Sequence, residues 1–214
     1  MKTIDETTWP RRAHCELFGR SANPIYSVTF PLDVTGLYGY VKREGLSFYH
    51  AMIWAVMRAI NGVEAFHYKL RPDGLIWHDV LSPSYTFPWG EDLFAILNLD
   101  FDPSESLHAF CARAAREQQA LRDPLPTEEE DAARDDLVYL SCLPWFTYYH
   151  ITQETTGDRN DSVPRLLWGR FEEQNGRLVL PMTVQVNHRL IDGIHLSWLK
   201  SALEREMKEW RVES

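Results

Sequence analysis

The chain has no long apolar run. Its apolar stretches fall far short of the ~18 residues that a membrane-crossing helix needs. The first twelve residues, MKTIDETTWPRR, contain no apolar segment of the kind found in a secretory signal. Both absences predict a soluble, cytoplasmic protein with no membrane partner. Cysteine is scarce too: Cys15, Cys111 and Cys142 are the only 3 in 214 residues, and none forms a CxxC pair. They are too few and too scattered for a disulfide framework, which fits a reducing compartment. Positive charge is in deficit, with 22 Lys and Arg against 31 Asp and Glu and a net charge of −9. An acidic chain gains nothing from phosphate counterion release, so no nucleic acid partner is expected. The sequence has no GxGxxG and no Walker loop, so nothing supports a nucleotide-binding fold. It has no GxSxG elbow for a serine hydrolase. Internal repeats and low-complexity linkers are also missing.

What is present is an ordinary globular mix, 44% hydrophobic and 25% charged, in a length that suits one large domain or two small ones. Aromatic residues reach 13%, enough for a core or cleft lined with flat rings. Three segments read as helices. Residues 46–61 place Phe48, Met52, Val56 and Ile60 four apart, with Asn61-Gly62 as the stop. Residues 104–121 carry Leu107, Phe110, Ala114 and Gln118 along one face, and 193–210 carry Leu196, Leu199, Leu203, Met207 and Trp210. Strands are expected over 25–32, 66–70, 75–78, 93–99, 137–143, 165–171 and 178–187. Turns at Arg71-Pro72-Asp73-Gly74 and Asn175-Gly176 make two hairpins. This alternation predicts an α/β or α+β sandwich, a sheet covered by helices. The charge run TEEEDAARDD (127–136) reads as a solvated loop or a helix start.

The segment PMTVQVNHRLIDGIHLSWLKSALE (181–204) carries the chemistry. A strand delivers His188 at its end, and Asp192-Gly193 supplies a tight turn and a helix start. A histidine so placed can present its ring to a cleft. The histidines His14, His50, His67, His78, His108 and His195 are spread without ligand spacing, so no metal site is expected.

QVNHRLIDGIHL (185–196) closely resembles the C-terminal signature of chloramphenicol acetyltransferases. HRLIDG also resembles the catalytic domain of dihydrolipoyl acyltransferases. The likeness to the chloramphenicol enzymes runs in order along the chain: WPRRAHCELF (9–18), the apolar helix at 46–61, LIWHDVLSPSYTF (75–87), LPWFTYYH (143–150) and PRLLWGRFEEQNGRLVLPMTVQV (164–186). The resemblance implies a single domain over residues 1–214. It implies an α/β fold, the CoA-dependent acyltransferase two-layer sandwich with a mixed sheet covered by helices. The assembly it implies is a homotrimer with active sites between subunits, CoA entering from one side and the acceptor from the other. The implied reaction is acetyl transfer from acetyl-CoA to a hydroxyl of chloramphenicol or a related small molecule, directly in a ternary complex and without a metal. His188 falls at the general base. Asp192 falls at an aspartate that supports the catalytic turn by pairing with an N-terminal arginine, here Arg11.

Four positions depart from the family pattern. A serine that serves the oxyanion is replaced by His150, which leaves His150 or Thr147 as the donor. The first residue of the family's histidine pair is Asn187. A threonine that holds a water near the oxyanion is Leu167, and a tyrosine that contacts chloramphenicol is Phe18. The proton-transfer half of the site is kept and the oxyanion half is altered. The alternative expectation is therefore a weakly catalytic or non-catalytic relative that binds a small molecule or CoA.

Overall fold

The computed structural model describes residues 1–127 and 134–210. Its main sheet has seven strands. In spatial order they are β2 (Ile25–Asp33), β10 (Arg177–Asn187), β8 (Arg165–Gly169), β7 (Leu137–Leu143), β5 (Ser82–Trp89) and β6 (Leu93–Asn98), and β9 (Glu172–Gln174) lies beside the start of β10. β7 runs parallel to both β5 and β8, and the other pairings are antiparallel, so the sheet is mixed. A small second sheet joins β1 (Lys2–Thr3), β4 (Gly74–Trp77) and β3 (Tyr68–Arg71). The helices are α1 (Arg12–Phe18), α2 (Thr35–Glu44), α3 (Phe48–Asn61), α4 (Leu107–Ala120) and α5 (Gly193–Lys208).

α3 shows how composition becomes architecture. Its sequence FYHAMIWAVMRAIN is apolar over most of its girth, with His50, Arg58 and Asn61 along one face, and ten of its residues are buried. A helix of that kind has to be surrounded, and α3 packs against α2, α4, α5 and β5. The Ser47 hydroxyl caps its start by accepting the His50 N–H at 3.3 Å. β10 is buried on both faces: Leu180, Met182, Val184 and Val186 point one way, and Thr183, Gln185 and Asn187 the other.

Several boundaries differ from the sequence reading. Residues 64–67 form a 3-10 turn, and the strand expected from Phe66 begins at Tyr68. Ser106, not Ser104, caps α4. The strand expected over 165–171 ends at Gly169, and Glu172–Gln174 is a separate strand. The hairpin turns fall where Pro72-Asp73 and Asn175-Gly176 put them, and Asn175 and Gly176 both take positive φ, 53° and 74°. Residues 128–133 of the acidic run lie outside the described residues. Asp135 and Asp136 are not simply solvated: Asp135 bonds Arg71 and His78, and Asp136 bonds Arg134.

The small sheet carries Lys69, which is 1% exposed and donates from Nζ to the Ser162 carbonyl at 3.3 Å. Burial pushes this amine down to about 7, against the opposing pull of Asp135, Asp136 and Asp161. In the unfolded chain the amine keeps its proton to about pH 10.4. Above about pH 7 the unfolded state therefore binds more protons than the folded one, and stability rises with pH. The unfolding free energy from urea titrations between about pH 7 and 8.5 should rise by up to about 1.4 kcal/mol per pH unit. Lys69→Met should flatten that rise. An equal slope in both proteins would contradict it.

Candidate active site

β10 ends at Asn187, and the next five residues turn sharply into α5. This turn is wrapped around one side chain, Arg11, from the residue preceding α1. Its guanidinium pairs with the Asp192 carboxylate through both terminal nitrogens, with Nη2 at 2.7 Å from Oδ1. The same Nη2 donates to the His188 carbonyl at 3.1 Å, and Nε donates to the Arg189 carbonyl at 3.2 Å. A planar fork of fixed donors suits this mixture of carboxylate and carbonyls, which a lysine could not match.

Asn187 holds the turn from the other side. Its Oδ1 accepts from the Arg189 N–H at 3.0 Å, and its Nδ2 donates to the Arg159 and Asp161 carbonyls at 3.0 and 2.9 Å. His195 closes the start of α5: its Nδ1 accepts the Asp192 N–H at 2.9 Å, which puts the His195 ring proton on Nε2.

His188 sits on this frame. Its N–H donates to the Pro24 carbonyl at 2.8 Å, which extends the β2–β10 ladder by one residue. Its ring is stacked on Phe18, with centroids 3.7 Å apart and planes 21° apart, and Tyr26 lies on it at 4.4 Å. The Tyr26 hydroxyl donates to the Ile191 carbonyl at 3.2 Å, and burial pushes its phenol up to about 12. The His188 side chain keeps 34% of its exposure, and its Nε2 lies 3.3 Å from Asp192 Oδ1. Sequence reasoning gave Asp192 a structural part alone, and the structure adds this contact to the ring. Burial holds the His188 pKa below the usual histidine value. Asp192 pulls it up and the Arg11 charge pushes it back down. Asp192 itself is held below the carboxylate range, first by its hydrogen bonds from Arg11. The imidazole is neutral near pH 7, the state a proton acceptor needs.

The two candidate oxyanion donors lie elsewhere in the same chain. His150 Nδ1 is 3.0 Å from Thr29 Oγ1, and Thr29 pairs with Thr183 across the β2–β10 ladder. His188 follows Thr183 by five residues, about 17 Å along a strand. Thr147 is exposed and lies between two seated residues. The Phe146 carbonyl accepts from the Arg170 N–H at 3.0 Å, and the Tyr148 ring rests against Gly169. Arg11, Phe18, His188 and Asp192 thus meet at one place, and His150 and Thr147 do not join them. Tyr26 and Thr29 drew no attention in the sequence, and His195 was weighed only as a metal ligand. His195 had a readable signal, an acceptor three residues after an N-cap aspartate. Tyr26 and Thr29 had none without the strand register.

Among the described residues no group of three or more His, Cys, Asp or Glu could hold a metal ion, and no helix is long and apolar enough to cross a membrane.

A sequence profile described as chloramphenicol acetyltransferase matches residues 1–204. The chloramphenicol acetyltransferase of Streptomyces acrimycini is 30% identical over 205 residues, covering 94% of this chain and 91% of that protein. Chloramphenicol acetyltransferase 2 of Escherichia coli is 28% identical over 204 residues, 94% of each. A solved chloramphenicol acetyltransferase superposes with a TM-score of 0.89 at 28% identity, over 97% of this chain and 99% of that one. A probable dihydrolipoamide acetyltransferase of Listeria monocytogenes shares the fold, with a TM-score of 0.71 at 16% identity over 100% and 97% of the two chains. With its motifs, its mixed sheet and nearly its whole length in common with these enzymes, the chain belongs to the chloramphenicol acetyltransferase family and is an acyltransferase.

Proposed function

We propose that the protein is an acetyl-CoA-dependent O-acetyltransferase acting on chloramphenicol or a related hydroxylated small molecule, with His188 as general base. The observation that carries this reading is the His188 ring, packed against Phe18 and Tyr26 on a turn clasped by Arg11. In the proposed step the imidazole takes the acceptor's hydroxyl proton as the oxygen attacks the acetyl-CoA carbonyl. The Asp192 carboxylate, 3.3 Å from Nε2, faces the imidazolium as it forms. The tetrahedral intermediate then collapses, the C–S bond breaks, and the imidazolium gives its proton to the departing sulfur, releasing CoA as the thiol and the acetyl ester. Both substrates react in one ternary complex, so proximity lowers the barrier without an acyl-enzyme. Phe18 offers the acceptor a ring without a hydroxyl.

The assembly belongs to the same proposal. Thr183, paired with the Thr29 that holds His150, lies about 17 Å along the strand from His188 within one chain, so in this reading a second copy brings the two histidines to one site. Trp145, Phe146 and Tyr149 around His150 are 68%, 50% and 101% exposed, an apolar patch that a neighbouring subunit would cover. A homotrimer with clefts between subunits accounts for both. The second reading, a weakly catalytic relative, is favoured by His150 and Leu167, which stand where the family keeps two hydroxyls. Removal of one oxyanion donor typically costs about 2.7–4 kcal/mol. Release of free CoA thiol from acetyl-CoA, with chloramphenicol and a panel of small alcohols, separates the two readings.

Light scattering at micromolar concentration should report three copies of the 25.0 kDa chain, and a monomer would sink the intersubunit reading. His188→Ala should abolish acetyl transfer while CoA binding stays near wild type. In the wild type kcat/KM should climb to a plateau with an apparent pKa below 6.5, because burial favours the neutral ring. Asp192→Asn should lower stability by about 1.5–3 kcal/mol, the worth of a charged hydrogen bond, and lower turnover with it. Unchanged melting of this variant would show that the Arg11 clasp is dispensable.

A further inference from the structure

α1 is tied to the turn after β10 at both of its ends. Arg11 clasps the turn from the residue before α1, and seven residues later, about 10 Å along a helix, Phe18 brings its ring to His188. A helix pinned only at its start can swing about that pin and carry Phe18 away. The second pin is a short strap, residues 158–162. Arg159 donates from Nη2 to the carbonyl of Gly19, the residue that follows Phe18. Arg189 of the turn lies against the same glycine, where a Cβ would stand 3.3 Å from its Nε, and its Nη1 donates to Asn160 Oδ1 at 2.6 Å. The strap is itself anchored to the body of the fold. Asp161 pairs with Arg165 of β8 at 2.7 Å, both side chains nearly buried, and Ser162 Oγ accepts the Leu70 N–H at 3.0 Å.

Asn187 joins this strap to the turn. Its backbone carbonyl accepts the N–H groups of Leu190 and Ile191 at 3.0 Å each, and its side-chain oxygen accepts that of Arg189. Three successive N–H groups of the turn therefore end on one residue. The protons of its amide nitrogen go to two strap carbonyls, those of Arg159 and Asp161. Carbonyls only accept and a backbone N–H only donates, so these partners fix which way the amide faces. Asn187 is 3% exposed, so water does not stand in for a lost bond. Aspartate has the same shape and keeps the acceptor for the turn, but it loses both donors and sets a negative charge against the two carbonyls. The amide stands where the family pattern has a histidine, which when neutral has one N–H to give.

We propose that Asn187 is a positioning residue. Through the strap it holds the Phe18 ring in register with His188, and so keeps the imidazole in the orientation from which it takes the acceptor's proton. The proposal rests on the acetyltransferase reading and adds to it a second support for the base, independent of the Arg11 clasp. A base held in one orientation needs no rearrangement before it reacts, and a small misplacement costs rate.

The test pairs NMR of the His188 ring protons, assigned by their loss in His188→Gln, with steady-state kinetics on acetyl-CoA and chloramphenicol. Stacked on Phe18, these protons should resonate upfield of those of an exposed histidine in the wild type. In Asn187→Asp they should move back toward the exposed position. The kcat should fall about tenfold or more, with KM for acetyl-CoA little changed. Arg159→Met, a change at an exposed residue that cuts only the tie to Gly19, should move both readouts the same way by a smaller amount, and it decides the matter if Asn187→Asp does not fold. A residue needed only for folding would lower the melting temperature and leave both readouts of the folded protein at wild-type values. Ring protons unmoved in folded Asn187→Asp therefore overturn the proposal. Protons that move there but not in Arg159→Met overturn the route through the strap, and moved protons with wild-type kcat overturn the part in catalysis. If the wild type does not acetylate chloramphenicol, the acetyltransferase reading fails for that acceptor, and the ring protons alone decide whether the strap holds Phe18 on His188.

Discussion

A single guanidinium organises the site. Arg11 lies 181 residues from Asp192 in sequence, yet its fork engages that carboxylate and the carbonyls of His188 and Arg189. Three elements meet there. β10 ends at the turn, α5 begins at it, and α1 brings Phe18 against the His188 ring. Arginine stays charged throughout the pH range of proteins, so the clasp does not loosen when the histidine titrates. The same charge offsets the pull of Asp192 on the imidazole, which leaves burial as the largest influence and keeps the ring neutral.

The second constraint is the register between β2 and β10. It aligns Thr29 with Thr183 and Asn187 with Ile25, and so fixes how far His150 stands from His188. Threonine, glutamine and asparagine line the buried polar face of β10, each matched to a partner on β2 or on the segment 150–161. A satisfied polar face of this kind specifies one seating of that segment, where an apolar face would tolerate several.

Legibility in the sequence followed the strength of local signals. α3 and α5 were plain from apolar spacing and stop residues, and both hairpins from Pro-Asp-Gly and Asn-Gly. α2 was not, because Gly36, Tyr38, Gly39 and Tyr40 are poor helix formers. It forms where Asp33 accepts from the backbone and hydroxyl of Thr35 and where Leu37 and Val41 are buried against neighbours. Within the site, the place where Arg11, Phe18, His188 and Asp192 meet was legible through motif resemblance. The contact of Asp192 with the ring, the Tyr26 face and the Thr29–His150 link depend on strand pairing between distant segments, which no local pattern encodes.

The apolar girth of α3 also bears on how the chain is made. Residues 48–61 leave the ribosome early, but α5, one of the helices that cover them, begins only at Gly193, and β10 pairs with β2 across 154 residues at Thr29 and Thr183. Until β10 and α5 emerge, a helix this apolar lacks part of its cover. The β2 edge of the sheet is covered only once β10 has been made, so that pairing forms late and between distant parts of the chain.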